Sequence, residues 1–158
     1  MQFKQGVILG VAAAVLAGGV ALAGGHQGNP AVKARKAHMQ LYAHNLGILG
    51  GMAKGEVEYN AETAALAAGN LATLASMNQM TYWPPGTSTA ELGEETRALP
   101  VGWEEASMND VMGKATSLAE AAMAMQAAAG SLEGVQASIG AIGGACGGCH
   151  KVYRQPDN

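Results

Sequence analysis

The stretch SLEGVQASIGAIGGACGGCHKVYR, residues 131–154, decides how the chain is read. Leu132, Val135, Ile139, Ile142, Cys146, Cys149 and Tyr153 follow one another at steps of three and four. That is the spacing of a helix that turns one apolar stripe inward. Ser131 suits a helix N-cap, and Gly130 before it is a natural stop for a preceding helix. The chain has two cysteines, and both lie on the seam of this last helix.

The same spacing recurs upstream. After Asn29-Pro30, a cap and a first-turn proline, the stripe Val32, Arg35, Met39, Tyr42, Leu46, Leu49, Ala53 predicts a first helix. A second is expected from near Asn60 through Leu66, Leu71 and Leu74 to about Asn78. A third starts near Trp103 and carries Met108, Val111, Ala115, Leu118, Ala122, Met125 and Ala129. Between the second and third, residues 81–101 hold Pro84-Pro85-Gly86 and Pro100, which forbid a regular helix. So long a connection is expected to cross the bundle or pack over one end, pinned by Trp83 and Trp103. No strand-like alternation of any length appears. The fold class is all-α, an antiparallel four-helix bundle.

The first residues belong to a different pattern. Lys4 is followed by an apolar run from Gly6 to Ala23 that ends in Ala21-Leu22-Ala23, the small-x-small form of a signal peptidase site. The reading is a signal peptide over 1–23 and a bundle domain over 24–158. A membrane anchor is the rival, and against it the run is short and interrupted by glycines 6, 10, 18 and 19. Without Lys4, eight Lys and Arg stand against twelve Asp and Glu, a formal charge of −4. That balance argues against nucleic acid as a partner and leaves no basic patch for an anionic membrane. The 49% hydrophobic fraction is largely alanine, with one Phe, two Trp and four Tyr. A large flat cofactor would supply the apolar volume that such small side chains lack.

Cys146-Gly147-Gly148-Cys149-His150 is a C-x-x-C-H sequence, the pattern of covalent haem attachment. On a helix, positions i and i+3 project from nearly one face, so two thiols can reach two vinyl groups of one porphyrin. The next residue can turn its imidazole to the iron. The rivals fare worse. A thioredoxin-like pair wants a βαβ context. Zinc needs further ligands, and His26, His38 and His44 form no compact set with the motif. An iron–sulfur cluster needs four thiolates.

With the motif near the C-terminus of an exported four-helix chain, the sequence resembles the cytochrome c′ family, including its low-spin relatives. Most small c-type cytochromes carry the motif near the N-terminus. Val32-Lys33-Ala34-Arg35 followed by Met39 resembles the family's first helix, and Trp83-Pro84-Pro85-Gly86-Thr87 its central loop. Gly102-Trp103 resembles its third-helix start, and Cys149-His150-Lys151-Val152-Tyr153-Arg154 its end. The likeness implies thioether anchors at Cys146 and Cys149 and a proximal iron ligand at His150. It also implies Arg35 facing a haem propionate, Arg154 beside His150, and Met39 over the opposite face of the iron. Gly147 stands where the family commonly has lysine.

Two of these roles can be weighed on physical grounds. Arginine on an apolar seam is costly unless paired. A propionate would pair it, and the other reading has the head of Arg35 in solvent over a buried stem. Methionine on a seam is often core filler, so Met39 either binds iron or only packs above it. His38 and His44 fall off the seam and are expected in solvent.

Those alternatives set the function. If the Met39 sulfur binds, the iron is low-spin with a raised potential and suits electron transfer with periplasmic redox proteins. If it only packs, an apolar pocket admits NO or CO, and a protective role toward nitric oxide follows. A haem enzyme is disfavoured, since the first-helix seam shows no distal base beside Met39. Gly47, Gly50 and Gly51 would permit a homodimer through first helices. The expectation is one covalent haem c in a non-enzymatic electron carrier of the periplasm.

Overall fold

The computed structural model describes residues 28–156. The leader over 1–23 and His26 lie outside the described residues. Four long helices carry the architecture: α1 (Pro30–Lys54), α2 (Ala61–Ser76), α4 (Met108–Ala128) and α5 (Leu132–Tyr153). A one-turn helix, α3 (Thr89–Leu92), sits in the long connection.

Each boundary has a local cause. Asn29 Oδ1 accepts from the N–H of Ala31 at 2.9 Å and of Val32 at 3.3 Å, with Pro30 in the first turn. Gly55, at φ 73°, closes α1 in the left-handed conformation that favours glycine. Asn60 Oδ1 caps α2 through Thr63 N–H at 2.8 Å, and Ser131 Oγ caps α5 through Gly134 N–H at 3.1 Å. A capping box between Ser88 and Glu91 starts α3. The Ser88 hydroxyl and N–H hold the Glu91 carboxyl below its ordinary pKa.

The four helices form a ring in which α1 packs on α2 and α5, and α4 on α2 and α5. Cross-links between helix ends fix their directions. Gln136 Nε2, at the start of α5, donates to Ala53 O at the end of α1 over 2.9 Å. The Tyr59 hydroxyl before α2 donates to Ala129 O just after α4 at 2.8 Å. The Tyr153 hydroxyl, at the end of α5, donates to Asp110 Oδ2 near the start of α4 at 2.6 Å. Every neighbouring pair is antiparallel, which is the architecture expected from the sequence.

Two expectations need correction. The third helix begins at Met108, not near Trp103. Residues 100–107 instead form 3₁₀ turns, Pro100–Trp103 and Glu105–Ser107, broken by an extended Glu104 at ψ 139°. The buried stripe of α1 is also rotated: Val32, Arg35, His38, Tyr42, Asn45, Leu49 and Met52 are buried. Positions 38, 45 and 52 are the buried ones, not 39, 46 and 53. The cause is contact with α2, where Asn70 Nδ2 donates to Asn45 Oδ1 at 3.0 Å.

Burial is uneven along the bundle. Leu49, Met52, Leu71, Met125, Ala129, Val135 and Ile142 close one end with the alanine face of α2 (Ala64, Ala67, Ala68). Toward the other end, seam residues of α4 are uncovered: Met108 is 42% exposed, and Ala115 is also exposed. The long connection covers the tip of that end. Leu99 N–H donates to Tyr153 O at 2.9 Å and Gln155 N–H to Arg97 O at 2.8 Å, tying it to the last turn of α5.

Gly134 lies where a Cβ would fall 2.0 Å from Ala128 O, so the α4–α5 turn has no room for a side chain. Gly134→Ala is expected to lower stability by about 1–3 kcal/mol, read in a denaturant titration. Gly140→Ala, in a helical position with nothing within 4 Å of its Cβ, is expected to raise stability by about 0.5–1 kcal/mol.

Candidate functional site

The last turns of α5 carry the motif. Because this segment is helical, Cys146 and Cys149 share a face and are each half-buried, while His150 is exposed. Burial raises both thiol pKa values. It lowers that of His150, and the charge of Arg154 lowers it further. Arg154 itself caps α5, donating its N–H to His150 O at 3.1 Å, and pairs with Ala98 of the connection.

Room surrounds the motif. A Cβ at Gly143, Gly144, Gly147 or Gly148 would meet nothing within 4 Å. Met39 of α1 is 36% exposed, and Met112 of α4 is 53% exposed. Two half-buried thiols on one helix face, with an imidazole next in sequence, fit a flat group bound through that donor set. The same chemistry does not fit zinc: among the described residues no three His, Cys, Asp or Glu side chains gather to hold a metal ion.

Arg35 is 5% exposed, which excludes the reading with its head in solvent. Its terminal nitrogens donate to Tyr82 O (3.2 Å), Thr87 Oγ1 (3.1 Å), Thr87 O (2.9 Å) and Thr96 Oγ1 (2.9 Å). The guanidinium lies 4.4 Å from the ring centre of Trp83 and 5.7 Å from that of Trp103. These acceptors are neutral, and burial lowers the Arg35 pKa. A nearby anion would complete its environment.

His38 was expected in solvent and is instead 4% exposed. Its ring meets Tyr42 edge-on at 4.9 Å and Tyr82 at 5.7 Å. Burial lowers its pKa, opposed by a hydrogen bond with the Leu74 backbone, and Nε2 has no partner. The Tyr42 hydroxyl is also buried, lying beside Gln79 without hydrogen-bond geometry. Burial, partly opposed by Gln79, pushes its pKa up to about 12. The seven-residue recurrence of His38, Asn45 and Met52 was the available signal for this second inward row. His44 is exposed, as expected.

Known proteins resemble the whole described chain. The family model Cytochrome C' matches residues 30–154. Cytochrome c-554 of Cereibacter sphaeroides is 45% identical over 127 residues, covering 80% of this chain and 81% of that protein. The structure of cytochrome c′ from Rhodobacter Spheriodes superposes with TM-score 0.76 at 33% identity, covering 80% of this chain and 96% of that one. A carbon monoxide-bound variant of cytochrome c prime from Alcaligenes xylosoxidans superposes with TM-score 0.68 at 27% identity, covering 80% and 94%. With its helical bundle, its motif on the last helix and a family match over nearly all described residues, this chain belongs to the cytochrome c′ family.

Proposed function

We propose that the chain is an exported electron carrier of the periplasm holding one covalent haem c, with residues 1–23 removed as a signal peptide. Cys146-x-x-Cys149-His150 on one helix, facing an uncovered apolar seam, is the observation that carries this reading. The bound haem supplies one-electron chemistry at its iron.

The protein's own residues bind and orient it. Cys146 and Cys149 anchor the group along α5, and His150 offers its imidazole to the iron. Arg154, tied by its N–H to His150 O, fixes the turn that carries this ligand. Met39 of α1 would offer its thioether sulfur to the iron as a further ligand. Arg35, held by four hydrogen bonds to the connection, places a positive charge for a propionate. Redox partner proteins would meet the uncovered edge lined by Met108 and Met112. Two copies would pair through α1, where Gly47 and Gly50 have nothing within 4 Å of a Cβ.

Gas binding is the second reading, favoured by the carbon monoxide bound to a variant of a structural relative. In that reading Met39 only packs, and NO or CO is the partner. The buried His38 places a ring nitrogen one residue from Met39, so peroxide turnover with an electron donor is the check on a peroxidase role. None is expected.

The reduced protein is expected to be low-spin with a spectrum that carbon monoxide leaves unchanged. Met39→Ala is expected to make it high-spin and CO-responsive. A wild-type protein that is already high-spin and shifts with CO would put gas binding first. Cys146→Ser with Cys149→Ser is expected to abolish covalent haem, read as loss of the haem mass from the denatured chain.

A further inference from the structure

α5 carries no charged side chain between Glu133 and His150. Lys151 and Arg154 follow the motif in sequence, and α4 adds a further pair of charges against the last turn of α5. Lys114 Nζ lies 3.5 Å from Asp110 Oδ1, one turn back on the same helix, and the Lys114 side chain is only 25% exposed. The other oxygen, Asp110 Oδ2, accepts the Tyr153 hydroxyl at 2.6 Å. Tyr153 follows Cys149 by four residues, so it stands on the same face of α5, one turn on.

The three side chains make a short polar chain across the α4–α5 seam, running from the haem-bearing helix to a largely covered cation. The hydrogen bond from Tyr153 is the main cause of a lowered Asp110 pKa, with Lys114 adding to it. Asp110 is thereby kept anionic. Tyr153 thus holds Asp110, and through it Lys114, against the turn of α5 that follows Cys149. Charges held against that turn lie within electrostatic reach of a porphyrin bonded to Cys149.

We propose that Lys114 and Asp110 are an opposed pair of charges that tune the reduction potential of the haem, held in place against α5 by Tyr153. The proposal rests on the haem reading above. Reduction adds one electron, so a nearby cation favours the reduced form and a nearby anion the oxidised form. Lys114 raises the potential and Asp110 lowers it. The bland account of the same contacts is an ion pair at helical spacing that adds a little helix stability. That account predicts no opposite effects on a potential.

The test uses the full haem-loaded chain at low ionic strength, with covalent haem first verified by mass in every variant. Lys114→Gln is expected to lower the midpoint potential and Asp110→Asn to raise it. Each shift should change the equilibrium constant against a fixed electron donor at least threefold, about 28 mV at 59 mV per tenfold for one electron. Raising the salt should shrink both shifts. In a Tyr153→Phe background, Asp110 is no longer tied to α5 and its shift should become smaller. Shifts of the same sign, or neither reaching threefold, overturn the tuning role, and an undiminished Asp110 shift in Tyr153→Phe overturns the part given to Tyr153. Absence of covalent haem from the wild-type chain would be a failure of the haem reading itself, seen before any potential is measured.

Discussion

A buried guanidinium with neutral acceptors organises the upper half of this bundle. Arg35 projects from α1 and donates to two residues of the proline-rich turn, Tyr82 and Thr87, and to Thr96 farther along the connection. Trp83 and Trp103 lie against it, and the indole of Trp103 donates to Trp83 O at 3.0 Å. Removing an arginine side chain from water demands that its N–H groups be met. The connection has no long helix of its own to bury, and it satisfies that demand with its backbone and threonine oxygens. Once fixed by Arg35, it reaches across to pair with α5 at Ala98 and Arg154. The turn that bears His150 is thus tied to α1 through one loop.

The lower half is stabilised differently. Alanines on α2 let α1 and α4 approach closely, and Leu49, Leu71, Met125, Val135 and Ile142 fill the remaining space. Small side chains pack well there because the helices can draw together. They cannot do so where the connection and the motif hold the helices apart, and there Met39, Met108 and Met112 are left uncovered. Flexible thioethers suit such a surface, since they adapt to a flat apolar group on one side and to solvent on the other.

The polar residues within this frame divide by what they touch. Asn45 and Asn70 satisfy each other across α1 and α2 and fix the relation of those helices. Tyr153, Asp110 and Lys114 do the same across α4 and α5. His38 and Tyr42 are different, because His38 Nε2 and the Tyr42 hydroxyl are buried without hydrogen-bond partners. Unpartnered buried polar atoms are uncommon and costly in a settled core. Both belong to the inward row of α1 that flanks Met39.

The sequence by itself determined the class of fold, the four long helices, the caps at Asn29 and Ser131, and the motif at Cys146, Cys149 and His150. Those features are local: a cap needs one side-chain oxygen, a helix stripe needs its own spacing, and a C-x-x-C-H needs five consecutive residues. It misplaced the start of α4, because whether residues 103–107 join the helix depends on the indole contacts between Trp83 and Trp103. Val32, Arg35, Tyr42 and Leu49 lie inside as expected, but it put Met39, Leu46 and Ala53 where His38, Asn45 and Met52 are buried, because a bundle helix has two neighbours and its own spacing cannot tell which flank faces which. His38 in the interior and the hydrogen bond from Tyr153 to Asp110 follow from how separate helices are set against each other. That relation is long-range, and only the tertiary structure decided it.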